Sequence, residues 1–339
     1  MEEFSYHFYE EYPGMKRLVA LRHDQSWLPP FLISAIVASG RHGRHITHVH
    51  LGDALLTPLA PLFSRMTGAV VTATVHGLDV TRPVPAYRRA LARAFRAMPD
   101  RIIAVSSYTA AEAAALSGAR AHVIRNGVDA RRFAAVTRSP EAATHARARF
   151  GLRAGPVIVM VGRLVRRKGA AWFIERVLPL LDSDVQVVVS GEGPDRVAVE
   201  RAAAMDRRAI VLPELSDRDV VHLYDCADLF VAPNIHVPGN PEGYGIAPAE
   251  AASAGVPVLV SALQGLLDMA EEAEVPTVPP GDAPAWAAAV RRALADPEWA
   301  RARRPTRTWS DVAMDYARLF AAIHGARNRI AEGRRGSPA

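Results

Sequence analysis

The sequence has 339 residues, and half of them are hydrophobic. This length exceeds that of a usual single-core domain, so we predict two domains, each with enough hydrophobic residues for its own core. Its formal charge of +6 and pI near 9.8 favour anionic partners in general, such as nucleotide diphosphates, nucleic acids or an acidic membrane surface. The single cysteine, Cys226, excludes a disulfide within the chain and a zinc site built from cysteine pairs.

Short β-branched runs alternate along the chain with longer amphipathic stretches rich in Ala and Leu. This pattern is typical of repeated strand–helix units around a parallel sheet, so we predict an α/β fold with two sheets. The predicted strands of the first sheet are 46–50, 70–76 and 101–106. Those of the second sheet are 157–162, 185–190, 209–212, 228–232 and 256–261.

The predicted strands place a first domain at 1–133 and a second at 156–308. Between them, residues 134–155 contain Thr-Arg-Ser-Pro, an Ala- and Arg-rich helical stretch and then Gly-Leu-Arg-Ala-Gly-Pro, which predicts a linker. After the second sheet we expect a helix at 309–330 that packs back on the first domain. Residues 331–339 are expected to form a disordered polar tail.

The beginning of the chain has no basic region followed by an apolar run, and no later stretch reaches the roughly 18 apolar residues of a spanning helix. We therefore expect a cytoplasmic protein. One predicted helix suits peripheral contact with an anionic membrane at the inner face, because its arginines and its apolar residues lie on different sides. A helix packed on the first sheet with a solvated arginine face gives the same pattern. The apolar residues are Tyr87, Leu91, Ala94, Phe95 and Met98.

The segment at 241–258, Pro-Glu-Gly-Tyr-Gly-Ile-Ala-Pro-Ala-Glu-Ala-Ala-Ser-Ala-Gly-Val-Pro-Val, predicts a turn that leads into a helix. Gly243 and Gly245 let the backbone approach a ligand, and the N–H groups at a helix start suit a diphosphate. Glu250 in the helix is able to accept both hydroxyls of a ribose, and Glu242 in the turn those of a sugar. The alternative is two glutamates serving the helix dipole and the solvent.

A second segment, 157–169, is a predicted buried strand followed by a loop with Arg163 and Lys168. Two cations at the carboxyl end of a strand suit a diphosphate and are able to stabilise the charge on a departing nucleotide without a metal. Arg166 and Arg167 in the same loop are expected to be solvated.

Further loops follow predicted strands, where ligands bind in open parallel sheets. Gly191 begins a tight Gly-Glu-Gly-Pro turn after the strand at 185–190. In the first half, His76 follows the strand at 70–76 and suits a hydrogen bond to a sugar hydroxyl or a phosphate, or else to a backbone carbonyl inside the domain. Asn126 begins an Asn-Gly-Val-Asp sequence that is also typical of a simple turn.

These motifs together resemble the retaining glycosyltransferases of family 4, from about residue 46 onward. The resemblance implies the glycosyltransferase B fold, two Rossmann-like domains facing a cleft, and metal-independent transfer of a sugar from a nucleotide-diphosphate donor to a hydroxyl acceptor, with retention of configuration and no cofactor. It implies catalytic roles for His76, Glu242, Arg163 and Lys168. It implies donor-binding roles for Arg163, Lys168, Gly191, Leu215, Gly243, Tyr244, Gly245, Glu250 and Asn126.

The sequence departs from this family at its beginning, where residues 1–26 offer only a possible strand at 17–21 in place of the family's opening strand, glycine-rich loop and helix. We therefore expect a shortened first domain. An alternative function is a donor-binding protein with an incomplete active site, inactive alone or completed by a partner chain. A nucleotide-sugar epimerase on the same architecture is disfavoured by the four charged motif residues, and nucleic-acid binding by the dispersal of the basic residues.

Overall fold

The computed structural model describes residues 2–13, 37, 45–98, 101–304 and 306–335. The possible strand at 17–21 and most of the segment in which the sequence analysis places the missing opening unit lie outside the described residues. By its internal contacts the chain divides into two compact units, one of Met1–Gly127 with Trp309–Ala339 and one of Val128–Thr308.

The first unit contains a four-stranded parallel sheet whose strands follow in chain order, β1-β2-β3-β4. Its strands are β1 (His48–Leu51), β2 (Val70–Val75), β3 (Ile102–Ala104) and β4 (Ala121–Val123). Its helices are α1 (Glu2–Glu11), a 3-10 helix at Ala54–Leu59, α2 (Ala60–Thr67), α3 (Leu78–Thr81), α4 (Pro85–Arg96), α5 (Ser107–Ser117) and, from the end of the chain, the last helix (Trp309–Arg335).

The second unit contains a six-stranded parallel sheet in the order β10-β9-β8-β5-β6-β7. Its strands are β5 (Val157–Val161), β6 (Gln186–Ser190), β7 (Ala209–Leu212), β8 (Leu229–Ala232), β9 (Val258–Ser261) and β10 (Thr277–Val278). Its helices are α6 (Ala130–Phe133), α7 (Pro140–Phe150), a helical segment of three short turns (Arg166–Lys168, Ala170–Trp172 and Phe173–Val177, continued by Leu178–Leu180), α8 (Arg196–Ala204), α9 (Asp217–Asp225), α10 (Ile246–Ser253), α11 (Gly265–Ala273), α12 (Ala283–Ala295) and α13 (Pro297–Ala300). The last helix of the chain, Trp309–Arg335, is α14.

The predicted α/β fold with two parallel sheets is confirmed. The central strands are buried on both faces, which is why they are short runs of Val, Ile and Leu in the sequence. The two strands that the sequence analysis missed, β4 and β10, both lie at a sheet edge. Each carries exposed positions and no apolar run, so neither has the pattern of a buried strand.

Residues 134–155, predicted as a linker, lie within the second unit, and the change between units falls at Gly127 and Val128. Helix α7 in this segment packs against α9, and the Arg147 guanidinium donates to the carboxylate of Asp228 just before β8. The predicted helical stretch is present as α7, and it packs within the second unit instead of linking the two units. The last helix continues to Arg335, beyond the predicted end at residue 330 and into the stretch predicted as a disordered tail.

The amphipathic helix α4 has its apolar side in the core of the first unit. Leu91 and Phe95 are fully buried, and Met98 just after the helix is nearly so. The interpretation of a helix packed within the domain is therefore correct, and this apolar face is not available to a bilayer. Among the helices in the described part of the chain, none is both long enough and apolar enough to cross a membrane.

A layer of histidine, threonine and aromatic side chains joins the first sheet to the last helix. The His50 imidazole bonds Thr72 and Thr74 through its two nitrogens, at 2.9 and 3.1 Å, and the hydroxyl of Thr74 bonds that of Tyr316 at 2.7 Å. The His48 ring stacks on Phe320 with 3.8 Å between ring centroids. Burial is the main cause that lowers the pKa of His48 to about 4 and that of His50 to about 3.

These histidines should make the first unit sensitive to acid. In the unfolded chain they titrate near pH 6.5, so their neutral form contributes fully above that pH, and the contribution is lost as the pH falls toward the folded-state values. We expect His50→Gln, which keeps a polar side chain, to remove about 2 kcal/mol of the fall in unfolding free energy between pH 7 and pH 5. Urea unfolding at several pH values measures this.

The matched control is His145→Gln on the exposed side of α7, which should leave the pH dependence as it is in the unaltered protein. An unchanged acid dependence in His50→Gln would contradict the assignment of a buried neutral imidazole.

Candidate functional site

The strand order of the second unit creates a crevice at one point of the sheet. From β5 the chain proceeds through β6 and β7 on one side, and through β8, β9 and β10 on the other. β5 and β8 pair directly, with Val159 opposite Phe230, so the helices that follow them leave a gap beyond their carboxyl ends. A pocket that is partly open to solvent lies there. Its polar lining comes from Arg163, Lys168 and Asn234.

Glu242 is the most enclosed charge beside this crevice. Its carboxylate is 9% exposed, and Oε2 accepts from the Lys168 ammonium at 2.6 Å and from the Asn234 amide at 2.9 Å. Burial raises the pKa of Glu242, but the charges of Lys168 and Arg167 and the hydrogen bonds from Lys168 and Asn234 outweigh it and lower the pKa to about 2. The other oxygen, Oε1, makes no hydrogen bond or ion pair with any residue that the structure describes.

The cations of the loop after β5 divide into two kinds. Arg163 is exposed and lines the pocket, and its guanidinium makes no hydrogen bond or ion pair within the described ranges. Arg167 was predicted to be solvated, and that prediction is wrong: its side chain is 18% exposed and its Nε lies 3.6 Å from Oε2 of Glu242. The reason is the buried glutamate, a partner that the local sequence of the loop does not reveal.

The glycine at the end of β6 is required by a close backbone approach. Gly191 has φ +147°, and a Cβ there would collide with the carbonyl oxygen of Gly162 at the end of β5. The two strand ends are thereby held against each other, with the Gly162 N–H bonded to the Ser190 carbonyl at 3.0 Å. Leu215, the predicted neighbour of the base, is half-buried between β7 and α9.

The turn at Gly243, Tyr244 and Gly245 leads directly into α10. Gly245 precedes the helix with φ +99°, where a Cβ would stand 2.5 Å from the Leu266 side chain, and no side chain caps the helix start. Tyr244 is buried, and the carbonyl of Gly243 fills the space that a side chain at Gly265 would need. The first turn of α10 thus follows the Glu242 turn with no room for a larger residue at its start.

Gln264 holds the backbone of Glu242 from the other side. Its Oε1 accepts from the Glu242 N–H at 2.8 Å, and its own backbone has φ 49° and ψ −131°. This conformation is strained for a residue with a side chain, by about 1–3 kcal/mol, and such strain concentrates at functional sites. The sequence analysis missed Gln264 and Asn234; the only signal for either was a polar residue shortly after a buried strand.

Glu250 lies inside α10, where its carboxylate is 12% exposed. Its Oε1 lies 3.6 Å from Nη1 of Arg132, a residue of α6 that the sequence analysis also missed. Lys168, Arg163, Glu242 and Glu250 all belong to the second unit, as predicted from their motifs.

His76 and Asn126 belong to the first unit and are described there by themselves. The His76 Nε2 donates to the carbonyl of Gly52 at 2.8 Å, which is the contact expected for a histidine with a role inside the domain. Burial lowers the pKa of His76 to about 4, so the ring is neutral near pH 7. Asn126 is 6% exposed, and its Oδ1 is buried without a hydrogen-bond partner in the described part of the chain.

No group of three or more His, Cys, Asp or Glu side chains within the described ranges is arranged to hold a metal ion. The Asp182 and Asp184 pair lies in the turn before β6.

The Lys168–Glu242 pair should contribute far more to the unfolding free energy than an exposed pair, because removal of one partner leaves the other charge buried and unpaired. We expect Lys168→Met to lower the unfolding free energy by about 3 kcal/mol, and Glu242→Gln to recover at least 1 kcal/mol of that loss in the double variant. Urea unfolding of the two single variants and the double variant gives the coupling energy.

The control cycle uses Arg301 and Glu298, an exposed pair at 3.3 Å in the same unit, with Arg301→Met and Glu298→Gln. Its coupling should stay below about 1 kcal/mol. Additive effects of Lys168→Met and Glu242→Gln would show that the two charges do not depend on each other.

Two family models match the chain in succession. The model described as Glycosyltransferase Family 4 matches residues 4–132, and the model described as Glycosyl transferases group 1 matches residues 155–296. The solved structures show the same architecture at low identity. The UDP complex of HepE from Anabaena has a TM-score of 0.68 at 16% identity, over 94% of this chain and 86% of that one. The sucrose-phosphate synthase of Thermosynechococcus elongatus has a TM-score of 0.70 at 21% identity, over 90% and 81%.

Curated relatives are more similar in sequence. The chain is 30% identical to the GDP-mannose-dependent alpha-(1-6)-phosphatidylinositol monomannoside mannosyltransferase of Mycolicibacterium smegmatis. The similarity extends over 307 residues, 87% of this chain and 79% of that protein. The chain is 29% identical over 292 residues to the 2-deoxystreptamine glucosyltransferase of Streptomyces kanamyceticus, over 81% and 74%. The predicted glycosyltransferase B fold is confirmed by these similarities, and the chain belongs to the group 1, family 4 glycosyltransferases.

Proposed function

We propose that this protein transfers a hexose or related sugar from a nucleoside diphosphate sugar to a hydroxyl acceptor, with retention at the anomeric carbon and without a metal ion. The observation that carries the proposal is the cluster at the crevice of the second unit. The Lys168 ammonium pairs there with the Glu242 carboxylate, and Arg163, whose guanidinium makes no hydrogen bond or ion pair within the described residues, lines the same pocket as Lys168. The names of the two curated relatives, a mannosyltransferase and a glucosyltransferase, support a hexose. Their named acceptors differ, so the acceptor is left as a hydroxyl group.

In the transfer, a bond forms between the acceptor oxygen and the anomeric carbon, and the bond from that carbon to the diphosphate oxygen breaks. The departing diphosphate oxygen takes the electron pair of the broken bond and accepts the proton that the acceptor hydroxyl loses. Arg163 is free to meet the growing negative charge with a bidentate fork, and Lys168 has two N–H groups beyond the one given to Glu242. These cations supply the stabilisation for which a metal ion would otherwise serve.

The two glutamates bind different parts of the donor. Glu242 Oε1 is left for sugar hydroxyls, because Oε2 is occupied by Lys168 and Asn234. Glu250 accepts the ribose hydroxyls, the N–H groups of the turn at 243–245 meet the sugar and the phosphates, and Gly191 and Leu215 border the nucleotide. In the first unit, the candidate residues are His76 for the transferred sugar and Asn126 for the donor; the Asn126 Oδ1 has no hydrogen-bond partner among the described residues.

Donor binding tests the second unit's role. Calorimetry of the protein with UDP-, GDP- and ADP-linked hexoses, in the presence of EDTA, should give binding of at least one donor. Glu250→Ala should weaken that binding about 30-fold, because two hydrogen bonds to a charged group are lost. The control is Glu200→Ala, an exposed helix glutamate paired with Arg196, which should bind as the unaltered protein does. Unchanged affinity in a folded Glu250→Ala variant would contradict the assignment.

Turnover tests the chemistry. Proton NMR of the product, or of the sugar released by slow donor hydrolysis, should show the donor's anomeric configuration first, and EDTA should leave the rate unchanged. His76→Ala should lower kcat about 100-fold or more while the protein keeps its donor affinity. An inverted first product would contradict retention, and donor binding with no turnover under any condition would favour the donor-binding protein with an incomplete active site.

A further inference from the structure

One neighbour of Glu250 is the cation Arg132, to which the proposed function assigns no role. Arg132 Nη1 lies 3.6 Å from Glu250 Oε1, and the two side chains are 19% and 12% exposed. A charge pair so shielded from water interacts more strongly than one on the surface. The cation favours the ionised carboxylate, which only accepts hydrogen bonds, and it does so from one side of the group.

Arg132 is itself held in place by three contacts. Asp129 caps the short helix α6 by accepting from the N–H groups of Arg131 and Arg132, at 3.1 and 3.3 Å. The Arg132 Nη2 lies 3.1 Å from Oδ1 of Asp217 at the start of α9. The guanidinium also lies over the Phe133 ring, 4.8 Å from its centroid, and Phe133 is buried. Asp129 thus holds the backbone of Arg132, while the guanidinium itself contacts the buried Phe133 ring and Asp217, whose side chain is 83% exposed.

Two buried polar groups at the Glu250–Arg132 pair lack a hydrogen-bond partner among the described residues. The Tyr224 hydroxyl and the Arg132 Nε are buried and make no hydrogen bond to any residue in the described part of the chain. Tyr224 stands close to both charges: burial raises its pKa well above the usual value, the charge of Glu250 raises it further, and the charge of Arg132 lowers it. Since an unmade buried hydrogen bond is costly, the Glu250–Arg132 pair lies in a polar environment that the described residues do not fully satisfy.

We propose that Arg132 is a positioning residue that fixes the Glu250 carboxylate for the two ribose hydroxyls, and thereby makes the protein distinguish ribose from 2′-deoxyribose in the nucleotide. The inference rests on the proposed function, in which Glu250 accepts the ribose. A glutamate side chain without a fixed neighbour loses rotamer freedom when both its oxygens are aligned with a diol. Arg132, anchored by Asp217, removes that cost before the nucleotide binds.

The test compares the affinity for UDP, GDP and ADP with that for their 2′-deoxy counterparts, by calorimetry, in the unaltered protein and four variants. We expect a preference for ribose of about 30-fold in the unaltered protein, falling to about 3-fold in Arg132→Ala. Arg132→Lys should lie between them, because lysine keeps the charge but not the planar fork. Asp217→Asn should reduce the preference by a smaller factor, since it releases only one anchor.

Arg149→Ala is the matched control, because Arg149 forms a 2.6 Å pair with Asp219 on the same helix as Asp217 but has no contact with Glu250. It should keep the full preference for ribose. Loss of stability alone would weaken both nucleotides equally and would leave the ratio of the two affinities unchanged.

Each outcome decides one way. A ratio that falls in Arg132→Ala and is partly kept in Arg132→Lys supports the inference. A ratio unchanged in the Arg132 variants, or an unaltered protein that binds both nucleotides equally, overturns it while the donor site stands. Binding of no nucleotide by the unaltered protein overturns the proposed function and the inference together. If Arg132→Ala does not fold, the ratios of Arg132→Lys and Asp217→Asn decide, and no change in both overturns it.

Discussion

The site of the second unit depends on the pairing of β5 with β8. Because the chain builds the sheet outward from β5 in one direction and then returns to β8 to build it in the other, the segments that follow these two strands diverge. The loop after β5 brings Arg163 and Lys168, and the loop after β8 brings Asn234. Residues more than 60 positions apart in the sequence therefore meet at one edge of the sheet.

A buried carboxylate at this edge sets the arrangement of the charges around it. Glu242 stays ionised in a nearly dry place only because Lys168, Arg167 and Asn234 surround one of its oxygens. Gln264, in a strained backbone conformation, fixes the main chain of the same residue. Electrostatic compensation and backbone strain thus act on one side chain, whose second oxygen makes no hydrogen bond or ion pair with the described residues.

Within the described residues, each unit contains buried polar groups with hydrogen-bond partners and others without. In the first, the hydroxyl of Thr74 bonds both the His50 imidazole and the Tyr316 hydroxyl. These hydrogen bonds connect the sheet to a helix from the other end of the sequence. In the second, the Tyr224 hydroxyl and the Arg132 Nε, beside Glu250, have no hydrogen-bond partner in the described part of the chain, as is also true of Asn126 Oδ1 in the first. A fully satisfied buried network stabilises a fold, whereas an unpaired buried polar group is costly.

The sequence by itself determined the α/β class, the central strands and the motif residues Arg163, Lys168, Glu242 and Glu250, because buried parallel strands and their following loops have patterns within a few residues. It missed the edge strands β4 and β10, whose residues lack an apolar run. It predicted the helical stretch in 134–155 but placed it in a linker between the domains, whereas the helix α7 lies within the second unit. Only the tertiary structure decided that Arg167 faces Glu242, that Arg132 faces Glu250 and that Asn234 and Gln264 hold the Glu242 turn. Those contacts join distant segments, and electrostatic and hydrogen-bond partners across a sheet leave no local pattern in the chain.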